Sequence, residues 1–389
     1  MNRKGVILAI LISIFFSIVN SLHVFVGWIL TPRDSVFMGI AHYPADYFLY
    51  LSTIAQRSVW YRPSFSNEPM VNIWIYWFNG FLGFVGSLVN ASPQLTYNVS
   101  LFFLSIVLGI LWYVLLRRVF PNGVRGPLLG LCIVLSASNF SISLGFKQLA
   151  RDFWFSPTPA FNRLGGVPHQ IFQTILLISL LLVFQKALLF VTSIKFRREK
   201  ASIFPFLRNF VGLCILTILS STANPIQMTL LLGASVLTTI ITSLRTKRTS
   251  AFLPLILLMS VAAVSILATN GAFTHPILAQ AKAWENAQRI RVSVIDLILA
   301  MGPIVFLIPF GAVSFLKKQT PIRTLLLFYG ALSFGVFFSP IPAYTGTASV
   351  RWLHPASYVL FPILATEGVG FLTHNFTRKL KILLIGLVY

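Results

Sequence analysis

The chain of 389 residues carries only eight Asp and Glu side chains, so each carboxylate is a candidate for chemistry. Five of them, Asp34, Asp46, Glu68, Asp152 and Glu285, fall in the three segments 31–95, 147–169 and 271–292 between long apolar blocks. The densest group runs from Thr31 to Met70 and holds Asp34, His42, Asp46, Tyr47, Tyr50, Arg57, Arg62 and Glu68. A carboxylate in such a group can take a proton from a hydroxyl, and an arginine can hold an oxyanion through two parallel hydrogen bonds. The plainer reading is a solvated loop whose charges keep it in water. Spacing adds one constraint. Asp46 and Tyr50 stand four residues apart, so a helical segment would present both on one face.

Outside this group the anion-binding candidates are Arg351, Arg163, Arg151, Arg289 and Arg291. Arg351 leads because it lies in Thr345-Gly-Thr-Ala-Ser-Val-Arg-Trp-Leu-His354, at the mouth of an apolar block where a lipid headgroup would sit. For the other arginines, interfacial snorkelling or pairing with a nearby acid accounts equally well for their position. His23, His42, His169, His275, His354 and His374 show no metal-ligand spacing. His169, closing the 147–169 segment, is counted with the binding candidates.

The elements that position these residues follow from composition. Hydrophobic residues make up 56% of the chain and charged ones 10%, against about a quarter charged in an ordinary soluble domain. Mean hydropathy is +0.83. Apolar blocks long enough for a helix to cross hydrocarbon are expected at 6–30, 96–116, 127–146, 170–192, 209–222, 226–243, 252–270, 293–316, 322–342 and 354–372. The sequence thus predicts an all-α polytopic bundle of ten spans, forming a single transmembrane domain over 1–389 with no soluble domain.

The net charge of +22 would suggest nucleic acid in a soluble protein, but its distribution points to a membrane. Basic clusters at Arg3/Lys4, Arg117/Arg118/Arg125, Lys195/Arg197/Arg198/Lys200/Arg208, Arg245/Lys247/Arg248, Lys317/Lys318/Arg323 and Arg378/Lys379/Lys381 occupy every second loop. The positive-inside bias makes that side cytoplasmic. The opposite side receives 31–95, 147–169, 271–292 and 343–353. Within the first of these, the aromatic run 71–90 is expected to be an interfacial or re-entrant helix, with Trp74, Tyr76, Trp77 and several glycines suited to the headgroup region. Glu367 is expected to pair with Arg378 or Lys379. Cys132 and Cys214 lie in apolar blocks and read as packing residues.

The run Asp46-Tyr-Phe-Leu-Tyr50, followed after Gln56 by an aromatic-basic stretch and then Asn67-Glu-Pro-Met-Val-Asn-Ile-Trp74, resembles the first outer loop of the GT-C superfamily. These are integral membrane glycosyltransferases that use polyprenol-phosphate sugars. Asp46 matches the superfamily's acidic position and Tyr50 the aromatic that follows. Tyr47 departs from the common second acid, and Glu68-Pro69-Met70 matches the Pro-containing element only loosely.

The resemblance implies transfer of a hexosyl or pentosyl group from a polyprenyl-phosphate donor to a glycan, lipid or protein acceptor at the non-cytoplasmic face. A prokaryotic plasma membrane and cell-envelope glycan assembly are the expected setting. Asp46 is then the candidate base with Asp34 as alternative, and Arg351, Tyr50, Glu68, Arg163, Arg151 and His169 the substrate-binding candidates. Some members of the superfamily use a divalent ion, which Asp34, Asp46 and Glu68 would have to hold; the surrounding arginines weigh against this, and no cofactor is expected. Two rival classes remain at this point, a transporter or flippase and a non-catalytic assembly subunit. Transporters concentrate polar groups and broken helices at the bilayer midplane, whereas this polar inventory falls in the loops.

Overall fold

A computed structural model of the chain describes residues 3–39, 44–62, 74–137, 167–193, 203–272, 283, 287 and 293–375. Among these residues every regular element is helical. In chain order they are α1 (Arg3–Leu30), α2 (Pro44–Ala55), α3 (Trp77–Ser87), α4 (Pro93–Val119), α5 (Arg125–Ser136), α6 (Pro168–Ser193), α7 (Ile203–Ala223), α8 (Pro225–Thr246), α9 (Phe252–Ala272), α10 (Val294–Met301), α11 (Ile308–Lys317), α12 (Pro321–Phe337), α13 (Ile341–Thr345), α14 (Pro355–Tyr358) and α15 (Leu360–Asn375). Among the described residues six segments are long and apolar enough to cross a bilayer: α1, α4, α6, α8, α9 with its preceding turn, and α14 running into α15. The shorter apolar helices α5, α7, α11 and α12 complete an all-α, multi-pass membrane bundle.

One expected span, 293–316, is broken into α10, a 3-10 turn over Gly302–Phe306, and α11. Gly302 adopts a positive φ of 65°, and Pro303 and Pro309 each remove a backbone donor, so an unbroken helix cannot form there. Similarly α12 stops at Phe337, short of the expected residue 342. The residue before Pro340 is biased away from helix.

The pairing of α1 with α4 decides where the first loop lies. The buried residues of α1 are Gly5, Ala9, Ser13, Ser17 and Ser21, a stripe of small side chains at a spacing of four. Small residues let membrane helices approach closely. Ser17 Oγ donates to the Phe102 carbonyl at 2.7 Å, and a Cβ added to Gly109 would stand 2.4 Å from Ser13 Oγ. At the start of α1, Gly5 faces the Tyr113 hydroxyl. Early α1 therefore meets late α4, the two helices are antiparallel, and the intervening 31–92 begins and ends at one end of the bundle.

Within that segment α3 has 11 residues, about 16 Å of helix, too short for a hydrocarbon core of about 30 Å. The helix is shorter than the expected 71–90, of which 71–73 lie outside the described residues. Its glycines do more than suit the interface. Gly80, Gly83 and Gly86 fall on one face, where added Cβ atoms would stand 1.8 Å from the Ser58 carbonyl oxygen, 1.9 Å from that of Ile54 and 2.2 Å from Thr96 Oγ1. Thus α3 rests on the main chain at the end of α2 and on the first turn of α4.

At the other end of the bundle, Arg323 departs from its expected role as a loop cation. It is buried and pairs with Glu367, where Ser314 Oγ also donates at 3.0 Å. Arg323 Nη2 further donates to the Val119 carbonyl at 3.0 Å, and its guanidinium lies 4.9 Å from the Phe315 ring centroid. Arg378 and Lys379, the partners expected for Glu367, lie outside the described residues. Between the two ends the core is filled by Trp112, Phe184 and Tyr329 with leucines of α4, α6, α8 and α12.

Candidate functional site

The helix α2 is seated by its own inward face. Tyr47 and Ile54 are buried, and the Tyr47 hydroxyl donates to the Met38 carbonyl at 2.9 Å. The Tyr47 ring meets Tyr97 of α4 edge-on, with centroids 5.0 Å apart. Asp46 lies in the first turn of α2 and is exposed, a position where the helix dipole favours a negative charge. One turn further, Tyr50 is half-buried and packs its ring against His169 with centroids 4.7 Å apart.

His169 opens α6, and the start of that helix is roofed by aromatics of α3. Phe78 stacks on Phe172 at 3.8 Å, and Trp77 meets the same ring edge-on at 5.7 Å. His169 Nδ1 is buried and has no hydrogen-bond partner among the described residues. A buried polar atom left in this state is available to a bound molecule.

The fourth member arrives from far along the chain. Arg351 sits half-buried on a 3-10 turn, Ser349–Trp352, between α13 and α14. His354, just beyond it, accepts the Ala356 backbone N–H through Nδ1 at 3.2 Å and so caps α14, the structural role expected of an isolated histidine. Burial raises the pKa of the Tyr50 phenol above its ordinary value; the Asp46 charge and Tyr76 raise it further, while the Arg351 charge opposes them. Tyr50 therefore stays a neutral hydroxyl through physiological pH, able to donate as well as accept a hydrogen bond, with a carboxylate and a guanidinium both in electrostatic reach.

The structure thus brings together Asp46, Tyr50, His169 and Arg351. Asp34 stands apart in the exposed loop after α1, where Ser35 Oγ donates to it at 3.5 Å. Glu68, Arg151 and Arg163, together with Arg289 and Arg291, lie outside the described residues. No group of three or more His, Cys, Asp or Glu side chains that could hold a metal ion occurs among the described residues. Two neighbours of the site, Tyr97 and Gln227, carried no sequence expectation. Gln227 was detectable as an amide in an otherwise apolar span, whereas Tyr97 reads as one aromatic among many.

Chemically, the arrangement offers a solvent-reaching carboxylate, a neutral phenol, an imidazole and a guanidinium around the N-terminal ends of α4, α6 and α8. Similar solved structures are those of the oligosaccharyltransferase of Archaeoglobus fulgidus. Its apo crystal structure matches with a TM-score of 0.54 at 13% identity, over 100% of this chain and 55% of that one. The form tethered by a disulfide bond to an acceptor peptide containing the NVT sequon gives 0.52 at 14%, over 100% and 53%. The complex with Zn and sulfate gives 0.50 at 12%, over 98% and 50%. The chain therefore spans about half the length of the solved structures it matches, and at these identities the likeness is one of fold. No protein-family model and no curated protein matches the sequence.

Proposed function

We propose that this chain, built on the GT-C fold, is a membrane glycosyltransferase that takes a hexosyl or pentosyl group from a polyprenyl-phosphate donor at the non-cytoplasmic face. The observation that carries the reading is the meeting of Asp46, Tyr50, His169 and Arg351, drawn from three separate segments, at the end of the bundle away from the basic loops. The acceptor is a glycan, a lipid or a protein of the cell envelope, and the setting a prokaryotic plasma membrane. That the similar archaeal enzyme was captured with an acceptor peptide makes a peptide one class to test.

In this reading Asp46 takes the proton of the acceptor hydroxyl as its oxygen attacks the anomeric carbon. The bond from that carbon to the phosphate oxygen breaks, with inversion, and the polyprenyl phosphate leaves with the electron pair. Phosphate is a good leaving group, so the reaction needs a base and a cation more than it needs an acid. Arg351 supplies the cation, and the neutral Tyr50 hydroxyl and His169 hydrogen-bond the saccharide or its phosphate. A transporter would gather such groups at mid-membrane between helices, and their place at one end favours the enzyme.

The test reconstitutes the chain in nanodiscs with short-chain polyprenyl-phosphate hexoses and pentoses and with glycan, lipid and peptide acceptors. Transfer to one acceptor class is expected, and Asp46→Asn should lower turnover by at least about a hundredfold while sparing donor binding. Asp34→Asn should leave turnover near that of the parent. Absence of transfer from every donor, together with parental polyprenyl-phosphate binding by Arg351→Ala, would move the protein to a transport or subunit role.

A further inference from the structure

Three backbone carbonyls around Arg351 are each engaged by a side chain from a different helix. Gln227 Nε2, in the first turn of α8, donates to the carbonyl of Arg351 itself at 2.8 Å. Ser333 Oγ of α12 donates to the Trp352 carbonyl, and Ser357 Oγ of α14 lies 2.9 Å from the His354 carbonyl. All three side chains are fully buried. The remaining acceptor of Gln227, Oε1, receives the Tyr329 hydroxyl at 3.1 Å, and Tyr329 is fully buried as well.

The network continues towards His169. Asn224 Oδ1 accepts the Gln227 backbone N–H at 3.1 Å, and Asn224 Nδ2 donates to Gln173 Oε1 at 3.1 Å. Gln173 Nε2 in turn donates to the Ala223 carbonyl at 2.8 Å. Gln173 stands one turn after His169 on α6. The Gln173 and Asn224 carboxamides thus reach the backbone of Gln227, whose own carboxamide reaches the main chain of Arg351, so the helix that carries His169 is linked to Arg351 through Gln227.

A carboxamide buried in a membrane bundle is costly unless its hydrogen bonds are made, and an aliphatic side chain would fill the same volume without that cost. What a fully bonded network adds is a fixed geometry. We infer that Gln227 is a positioning residue for Arg351: with Tyr329 it fixes the arginine's backbone, and through Asn224 and Gln173 it ties that backbone to α6, setting the separation of the guanidinium from the His169 imidazole. The bound chemistry is a lipid-linked phosphate, so the inference rests on the reading of Arg351 as the donor-phosphate ligand.

The experiment measures binding of farnesyl phosphate to the full chain in nanodiscs, with farnesol as the phosphate-free control. Arg351→Ala should weaken farnesyl phosphate binding about thirtyfold, within the range of a charge-assisted contact. Gln227→Met should weaken it about tenfold and Tyr329→Phe, which removes one hydroxyl and no volume, about threefold, since small misplacements of a binding group are costly. Because both act through the arginine, neither should add a loss on the Arg351→Ala background. Farnesol binding should be the same throughout. If Gln227→Met does not fold, Tyr329→Phe carries the same comparison. Parental binding by Arg351→Ala would overturn the phosphate reading itself. Weakened binding by Arg351→Ala, with parental binding by Gln227→Met and Tyr329→Phe or with fully additive losses, would overturn the positioning role alone.

Discussion

Glu367→Gln removes the counter-charge of Arg323 and leaves a guanidinium buried at the basic end of the bundle. The side chains of Arg323 and Glu367 are only 6% and 9% exposed, so water cannot replace the lost partner. The Val119 carbonyl and the Phe315 ring still face the cation, but neither neutralises it. Stranding one member of a buried pair costs about 3–5 kcal/mol, whereas replacing both by apolar residues of similar volume is neutral or stabilising by about 1–4 kcal/mol. At roughly 2 °C per kcal/mol for a chain of this size, Glu367→Gln and Arg323→Met should each melt about 6–10 °C below the parent. The double variant Arg323→Met/Glu367→Leu should melt at or above the parent temperature. Thermal unfolding in one detergent, followed by size-exclusion chromatography of the surviving fraction, reads all four proteins. A double variant as unstable as the singles would refute the charge argument and make the shapes of the two side chains the stabilising feature. A parental melting temperature for Glu367→Gln would show the pair to be screened by solvent.

Gly83→Ala would place a methyl 1.9 Å from the Ile54 carbonyl oxygen, a main-chain atom that cannot swing aside, so α3 should separate from α2 and the melting temperature should fall. Gly335→Ala, whose Cβ would meet nothing within 4 Å, is the matched control; equal melting of the two variants would refute the close α2–α3 contact. For orientation, single cysteines at Ser35 and at Tyr344, which is 85% exposed, should react with an impermeant thiol reagent in intact cells, and one at Lys318 should not. All three are made in a background lacking Cys132 and Cys214, and the reverse labelling pattern would invert the assignment.

The spans were legible because an apolar run of membrane length admits few other structures. Asp46 and Tyr50 were legible as a pair because their spacing is that of one helical turn. What the sequence hid was the set of partners. Arg323 borders an apolar block and therefore looks like a loop cation; its partner Glu367 lies 44 residues away on another helix, a distance no local pattern encodes. Gln173, Asn224 and Gln227 are uncharged, so a tally of charges within spans passes over them. The break at Gly302-Pro303 was written in residue types but outweighed by the hydropathy of the run around it. Gly80, Gly83 and Gly86 were visible as glycines, yet their spacing of three acquires meaning only with the Ser58 and Ile54 carbonyls beneath it.

The antiparallel pairing of α1 with α4 also has a consequence for how the protein is made. Ribosomes release the chain from its N-terminus, so the two helices can close on one another while most of the bundle is unsynthesised, fixing both ends of 31–92 at one end of the bundle. Asp46 and Tyr50 are then in place but incomplete. Arg351 follows Asp46 by 305 residues, a delay of about 15–60 s at ordinary elongation rates. Until α12 and the turn behind it have been made and that turn has met Gln227, a nascent chain holds Asp46 and Tyr50 without Arg351, so the cluster is completed only after α12 has been synthesised.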